Sequence, residues 1–450
     1  MDRRKFLQSS AAAGAGLVFA PTAFGQTSDN ENGKGEDDIY VALLGAGAQG
    51  QILMSSLLRM GQTSGIKVRA VCDIWEAYNL RRVSRTLDAY SRFGHKGTAY
   101  IDYREMLDKE KDLDAVIICT PEFWHAEHTV ACLEAGLDVY CEKEMSDTIE
   151  GARKMVEAAR RTGKLLQIGH QRRSNPRYIY CYDKIIHEAN LLNRITTING
   201  QWNRGKAACE DLGWPDGTEI DKEILREYGY ESMHQFRNWR WFKGLGGGPI
   251  VDLGSHQIDI YNWFLDARPK AVMASGGIDY WKDHEWYDNV MAVYEYETAQ
   301  GAVRAFYQTI TTNSSNGYYE HFMGDEGTLV VTEGAGLTKV YREGHVPERQ
   351  WERWVREGIV KIVQDVTQEE QDAVADVRAT VPAAEYELPV VMDVAFHLPH
   401  LENFFAAMRG QEELTCPHDK GYETAVTILK VNEAVEAGKE LKFSDDEFEV

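Results

Sequence analysis

The chain reads as an α/β protein: a doubly wound parallel sheet on the N-terminal side, then an α+β domain on a large, open, mostly antiparallel sheet. Two observations carry that expectation. Between 39 and 169, short apolar runs alternate with amphipathic stretches at βα spacing, which implies parallel strands between two helical layers. After about residue 180 the runs alternate apolar and polar residues with period two, as antiparallel strands with one covered face do. With 450 residues, 43% hydrophobic and 27% charged, the chain can form two such domains and has an ordinary globular composition. Its formal charge of −22 argues against a nucleic acid or an anionic membrane as partner.

Taken in order, residues 1–25 read as an export signal. Arg3-Arg4-Lys5-Phe6-Leu7 sets twin arginines before the apolar run Ala11 to Ala20, and Ala23-Phe24-Gly25 offers a small-x-small cleavage site. The pattern resembles a twin-arginine (Tat) signal, so the periplasm or cell exterior is the expected destination. No run approaches the ~18–20 apolar residues of a spanning helix, and no membrane insertion of the mature form is expected. Residues 26–38 form a polar linker. Seven cysteines show no paired spacing and are read as core residues, so neither disulfides nor a metal site is expected.

The first domain is expected over 39–175. Ile39 to Leu44 is an apolar strand that ends in Gly45-Ala46-Gly47-Ala48-Gln49-Gly50, and a helix pattern follows from Gln51 to Met60 with Ile52, Leu53, Ser56, Leu57 and Met60 on one face. Strand, glycine turn and helix form the context of a dinucleotide fingerprint, hence of a Rossmann domain. Gly45 allows the tight turn, Gly47 lets main-chain N–H groups approach a pyrophosphate, and Gly50 packs helix on strand. The helix dipole favours the anion there. Asp73, at the end of the predicted second strand Ile66 to Cys72, lies where an acid binds the ribose hydroxyls, about 20 residues on. That favours NAD, with NADP kept open by Arg81 and Arg82. Further strands are expected at Ala115 to Cys119, Val139 to Cys141 and Leu165 to Ile168. Helices are expected at Glu76 to Phe93, Tyr103 to Leu107, His125 to Ala135 and Thr148 to Arg161.

The second domain, a substrate-binding α+β unit, is expected over 176–440. Its strands are placed at Ile195 to Trp202, Ala271 to Ile278, Val290 to Tyr296, Ala302 to Thr311, Thr328 to Val331 and Thr338 to Tyr341. A helix over Val251 to Leu265 interrupts them. Residues 344–390 are acidic and poorly periodic, a helical excursion or insertion without an assigned place. Helices return at Val394 to Met408 and Tyr422 to Ala437, where they can pack back on the first domain, and 441–450 reads as an acidic tail.

The strand ends carry the chemistry: Cys119-Thr120-Pro121-Glu122-Phe123-Trp124-His125, Glu142-Lys143-Glu144, Gly169-His170-Gln171-Arg172-Arg173, and later Gly246-Gly247-Gly248 leading to Asp252-Leu253-Gly254-Ser255-His256 and Asp259. With the glycine fingerprint, these motifs in this order resemble the Gfo/Idh/MocA oxidoreductases, the group of glucose–fructose oxidoreductase and inositol dehydrogenase. The resemblance spans nearly all of 39–440. It implies that Lys143, Asp252 and His256 face the nicotinamide and the substrate. It also implies cofactor contacts from Gly45, Ala46, Gly47, Ala48, Gln49, Gly50, Asp73, Thr120, Pro121, His125, Glu142, Lys143, Gln171 and Arg172. The family reads Glu-Lys-Pro where this chain has Glu144, so a different local geometry is expected after Lys143. A homo-oligomer, dimer or tetramer, is implied as well.

The residues agree with that chemistry. Hydride removal from a secondary alcohol needs a base for the hydroxyl proton, and His256 titrates in the right range. Lys143 can donate to the substrate oxygen. Asp252 and His256, four apart on a helix, share a face, so Asp252 is expected to orient His256 or raise its basicity, with Asp259 and His170 beside the same substrate. Asp252 has an alternative role as helix N-cap. Aromatic residues crowd the second half, and Arg240-Trp241 before the glycine run is expected to reach the ligand; a carbohydrate suits such faces. Arg172 and Arg173 leave a sugar acid open. Two rival readings stand beside an NAD-dependent dehydrogenase of sugars or cyclitols with a tightly bound cofactor. One is an NAD-dependent glycosidase or lyase working through a transient 3-keto sugar. The other is a non-catalytic carbohydrate-binding protein on a dehydrogenase scaffold.

Overall fold

β1 (Ile39–Leu44) is buried along its whole length, and its position in the sheet explains why. The structure is a computed structural model that describes residue 35 and residues 37–334, 336–364 and 382–450. The export signal and nearly all of the linker lie outside the described residues. β1 is central in a parallel sheet with β2 (Ile66–Cys72), β3 (Thr98–Tyr100), β4 (Ala115–Ile118), β5 (Asp138–Cys141) and β6 (Leu166–Ile168), in the order β3-β2-β1-β4-β5-β6. A strand covered by helices on both faces has no solvent side, so it needs no alternation. This is the doubly wound order expected from the glycine fingerprint.

The connecting helices are α1 (Ala48–Thr63), α2 (Arg81–Ala89), α3 (Tyr103–Lys109), α4 (Glu122–Glu134) and α5 (Ile149–Thr162). α1 begins inside the glycine turn. Its buried face carries Leu53, Met54, Leu57 and Met60, whereas Ile52, expected on that face, is 47% exposed. The helix starts three residues earlier than the apolar pattern suggested, and Ile52 falls on the outer side. α5 opens on the Thr148 side chain, which accepts from the Gly151 N–H, and closes on Gly163 at φ 65°. Both are the ordinary devices for a helix that must stop sharply.

The second sheet has ten strands: β7 (Ile195–Asn203), β8 (Pro269–Gly277), β9 (Asn289–Thr298), β10 (Gly301–Ile310), β11 (Tyr318–Gly324), β12 (Gly327–Val331), β13 (Lys339–Arg342), β14 (Lys361–Gln364), β15 (Ala384–Glu387) and β16 (Leu441–Lys442). Their order is β14-β15-β13-β12-β11-β7-β10-β9-β8-β16, antiparallel except for β7 beside β10. In β9, Val290, Ala292, Tyr294 and Tyr296 face the core while Met291 and Val293 face out. α6 (Gly248–Phe264) lies on the inner face, buried along nearly its whole length, with the Tyr261 hydroxyl donating to the Phe306 carbonyl at 2.9 Å. α7 (Leu398–Met408) packs Leu401, Phe404 and Phe405 into the same apolar cluster as Val41, Leu43 and Ile117 of the first sheet. α8 (His418–Ala437) lies against α6, α5 and β8.

Two expectations are corrected here. Residues 441–450 are no free tail: β16 pairs with β8, Phe448 is buried, and Arg153 donates to the Glu449 carbonyl at 2.8 Å. Of the unplaced 344–390 segment, β14 and β15 extend the sheet edge, while 365–381 lies outside the described residues. β11, absent from the sequence reading, sits in mid-sheet. Its inward position 320 is a glutamate, which hides the apolar alternation.

Candidate active site

The site forms at the carboxyl ends of the parallel strands, where α6 and the inner face of the second sheet close over them. The resulting cleft encloses about 570 Å³. One end is built from main chain. Gly45 has φ 95°, and a Cβ there would come within 2.6 Å of the Cys119 carbonyl carbon; a Cβ on Gly50 would meet the Gly45 oxygen at 2.0 Å. Gly47 is different, because a Cβ there would meet nothing nearer than the Asn79 side chain at 4.0 Å. The space over Gly47 is therefore left for something other than protein, at the start of α1, where a pyrophosphate is favoured. Asp73 closes this end. Its carboxylate accepts from the Ala46 and Trp75 N–H groups, both at 2.7 Å, and burial pushes its pKa up although those bonds oppose it. The oxygen that accepts from Ala46 also receives the Asn79 side-chain amide at 3.4 Å, whereas the oxygen that accepts from Trp75 keeps a second lone pair for a ribose hydroxyl. Residues and space thus fit a nicotinamide dinucleotide.

The opposite end is built from side chains. Lys143, just beyond β5, donates to the main-chain oxygen of Asp252 and to its carboxylate at 2.9 Å. Arg240 donates to the other carboxylate oxygen at 3.0 Å. Burial alone would raise the Asp252 pKa, but Arg240 and Lys143 more than offset it and hold this acid well below the usual carboxylate range. His256, one turn further along α6, sits 5.3 Å from the Trp202 ring, and no hydrogen bond to its imidazole is found among the described residues. Burial first, then Lys143 and Arg172, depress its pKa well below the usual value, so the imidazole is neutral. The Lys143–Glu144 peptide is cis.

Several expected roles change. Asp252 is neither N-cap nor His256 partner: α6 starts at Gly248, and both carboxylate oxygens are taken by cations. Asp259 is locked to Arg173 at 2.8 Å and accepts from Thr424 at 2.9 Å, so it does not reach a substrate. Arg172 is fully buried between Glu320 and Glu333, the latter at 3.1 Å, and holds the second sheet rather than a cofactor. His125 places its ring nitrogens against the carbonyls of Glu144 (2.6 Å) and Thr120 (2.7 Å), beneath the cleft wall. His170 is buried, neither of its nitrogens has a hydrogen-bond partner among the described residues, and it stands outside the lining. Ala46 and Gly50 support the turn from below. Gly45, Gly47, Ala48, Gln49, Asp73, Thr120, Pro121, Glu142, Lys143, Gln171, Arg240, Trp241, Asp252 and His256 all line the cleft. Arg81 and Arg82 are exposed and do not.

Sequence reasoning missed three things. Glu122 lines the substrate end and accepts from the Gly247 N–H at 2.9 Å, while its other oxygen has no hydrogen-bond partner among the described residues; burial, reinforced by Asp252, pushes its pKa up to about 7. Arg204 also lines this end, as described below. The third is a roof. The excursion 204–247, between β7 and α6, lays Leu225, Tyr228, Tyr230 and Met233 against Trp75, the second residue after Asp73. The Trp75 indole donates to the Thr218 carbonyl, Trp124 donates to the Tyr228 carbonyl at 3.2 Å, and Arg237 lies 5.0 Å over Trp75. Only the density of aromatics in 214–242 hinted at it.

Fold and cleft together define a two-domain dinucleotide-binding protein with a polar reacting centre. Residues 39–170 match the GFO_IDH_MocA model, described as "Oxidoreductase family, NAD-binding Rossmann fold", and 223–330 match the "GFO/IDH/MocA C-terminal domain". The chain belongs to this family. It is 28% identical to the D-glucoside 3-dehydrogenase of Escherichia coli (strain K12) over 50% of this chain and 54% of that protein. It is 29% identical to a glycosyl hydrolase family 109 protein of Shewanella baltica (strain OS155 / ATCC BAA-1091) over 56% of this chain and 54% of that one. The chain thus spans about half the length of the curated relatives it matches. The solved levoglucosan dehydrogenase in complex with NADH and L-sorbose superimposes with TM-score 0.64 at 17% identity, covering 91% of this chain and 99% of that one, which shows the shared fold.

Proposed function

We propose that the protein is an NAD-dependent oxidoreductase acting on a CH–OH group of a sugar, sugar derivative or cyclitol. The carrying observation is that Lys143, Asp252 and His256 converge at one end of the cleft whose other end is the glycine turn and Asp73. The dinucleotide, when bound, supplies the hydride acceptor. The protein supplies the rest. Neutral His256 accepts the hydroxyl proton. Lys143 donates to the same substrate oxygen and stabilises the charge that develops on it. Asp252, clamped between Lys143 and Arg240, fixes where the ammonium points. Asp73 favours NAD, since a 2′-phosphate would meet its charge; Arg237, a cation of the lining 5.0 Å over the Trp75 ring, keeps NADP as the lesser alternative.

The roof over 204–247 supports a resident rather than an exchanging cofactor, because its aromatic packing would have to lift for release. A retained cofactor must be reoxidised in place, by a second carbonyl substrate or within one catalytic cycle. The second course is the redox-neutral glycosidase or lyase reading. Glu122 favours it, because a half-protonated acid stands beside the reacting centre, where elimination needs one.

The twin-arginine pattern of 1–25 supports export of a folded, loaded protein to the periplasm or beyond. Met273, Met291 and Val293 form an exposed apolar stripe on the outer face of β8 and β9, which supports a homo-oligomer. Periplasmic fractionation and light scattering test these two points.

The main test is to purify the protein without added cofactor, denature it and identify released dinucleotide by mass spectrometry. About one NAD(H) per chain is expected, with NADH signal on adding substrate sugars. An empty protein that binds NAD only weakly and turns over no sugar would end this reading. Aglycone release from a glycoside without NADH accumulation would select the redox-neutral alternative.

A further inference from the structure

The substrate end of the cleft contains a cation that makes no ion pair among the described residues and acts on the Asp252 carboxylate only at a distance. Arg204 follows the last residue of β7, and its main-chain N–H donates to the Ile310 carbonyl at 2.7 Å, which fixes the chain at this point. Its side chain lines the cleft with the guanidinium carbon 5.5 Å from the Trp202 ring. Among the described residues it makes no side-chain hydrogen bond and no ion pair. Acids that share the lining already have partners, although one Glu122 oxygen makes no hydrogen bond among the described residues. Asp252 is held by Lys143 and Arg240, Glu333 by Arg172 and by Gln171 at 3.2 Å, and Glu122 accepts from Gly247. An unpaired guanidinium inside a chain of net charge −22 is a poor use of a cation unless the ligand brings the anion.

Beside it lies a flat apolar surface. The Trp202 and Tyr318 rings stack at 4.6 Å and 24°, and His256 stands 5.3 Å from Trp202 on the same cleft wall. The Trp202 ring already carries Tyr318 and has the Arg204 guanidinium 5.5 Å over it, so a pyranose ring that enters this part of the cleft lies beside both the guanidinium and His256. Resting on the dehydrogenase reading above, we propose that the substrate is an anionic sugar, a hexuronate or its glycoside, whose carboxylate pairs with Arg204. Guanidinium and carboxylate match as planar two-point partners, a geometry that a neutral hydroxymethyl group cannot supply.

The test is a matched pair that differs only in that group: methyl β-D-glucuronide against methyl β-D-glucoside. Both are titrated calorimetrically into the NAD-saturated protein, and NADH formation is followed in parallel. The glucuronide is expected to bind about tenfold or more tightly, with the preference shrinking at high salt. Arg204→Gln should lower glucuronide affinity about tenfold more than glucoside affinity, and Arg204→Lys should retain part of the preference. Equal or tighter binding of the glucoside by the wild type overturns the proposal without reference to any variant. So does a parallel loss of both ligands in Arg204→Gln, or a loss of NAD content with sugar preference intact. Tighter binding of glucose 6-phosphate than of glucuronate would overturn the carboxylate assignment. Glucuronide binding without NADH formation would support the subsite while removing the dehydrogenase reading. NADH formed from the glucoside alone would do the reverse.

Discussion

The two ends of the cleft each hold one buried aspartate, and the pair is instructive. Asp73 is held by main-chain N–H groups of its own domain, and burial still raises its pKa. Asp252 is held by Lys143 and Arg240, from segments far apart in the chain, and its pKa is driven down. The first acid orders backbone and awaits a neutral hydroxyl donor. The second spends its charge on aiming a cation. A cofactor end made of main chain tolerates change in side chains around it, whereas a reacting end made of side chains depends on each of them.

Mutations at the two ends should therefore separate turnover from binding. Lys143→Met is expected to lower kcat/KM about a thousandfold, as loss of a donor at a developing oxyanion does, while the protein still purifies with its dinucleotide. Retained turnover within tenfold of wild type would remove Lys143 from the centre. Asp73→Ala should act oppositely, raising the NAD dissociation constant about 10- to 100-fold, the range for a charged hydrogen bond, with a far smaller change of kcat at saturating NAD. Calorimetry on dinucleotide-stripped protein measures the first and saturation kinetics the second.

The smallest effect concerns a third acid, Glu144, which touches neither end. Burial, partly opposed by the Met145 N–H, raises its pKa from 4.5 to about 8. Between these values the folded chain holds a proton that the unfolded chain has released. Stability therefore falls as pH rises through this window, by at most about 1.4 kcal/mol per pH unit. Glu144→Gln keeps the shape and removes the proton. The drop in melting temperature from pH 5 to pH 8 should shrink in the variant, and an unchanged drop would show that Glu144 is ionised in the fold.

Local features were legible in the sequence. β1, the glycine turn and α1 follow one another within one stretch, so apolar run, glycine spacing and helix pattern suffice, and Asp73 is read from the next strand. Lys143 and His256 were legible only through motifs in order. What stayed hidden depends on long-range side-chain pairing. A strand-end position places Arg172, His125 or Asp259 near the cleft, but whether each turns toward ligand or toward Glu333, Glu144 or Arg173 depends on residues from distant elements. Glu320 illustrates the same limit: an inward charge on β11 reads as a break in a strand until Arg172 is placed against it.

The roof over 204–247 carries one more consequence. It departs after β7 and returns before α6, and it contributes no strand to either sheet. Apart from Arg240, which clamps Asp252, and Gly247, which donates to Glu122, its length and composition can drift without shifting the register of any ladder. A chain of this fold can in this way acquire a different cleft lining by rewriting a single loop, with both sheets inherited intact.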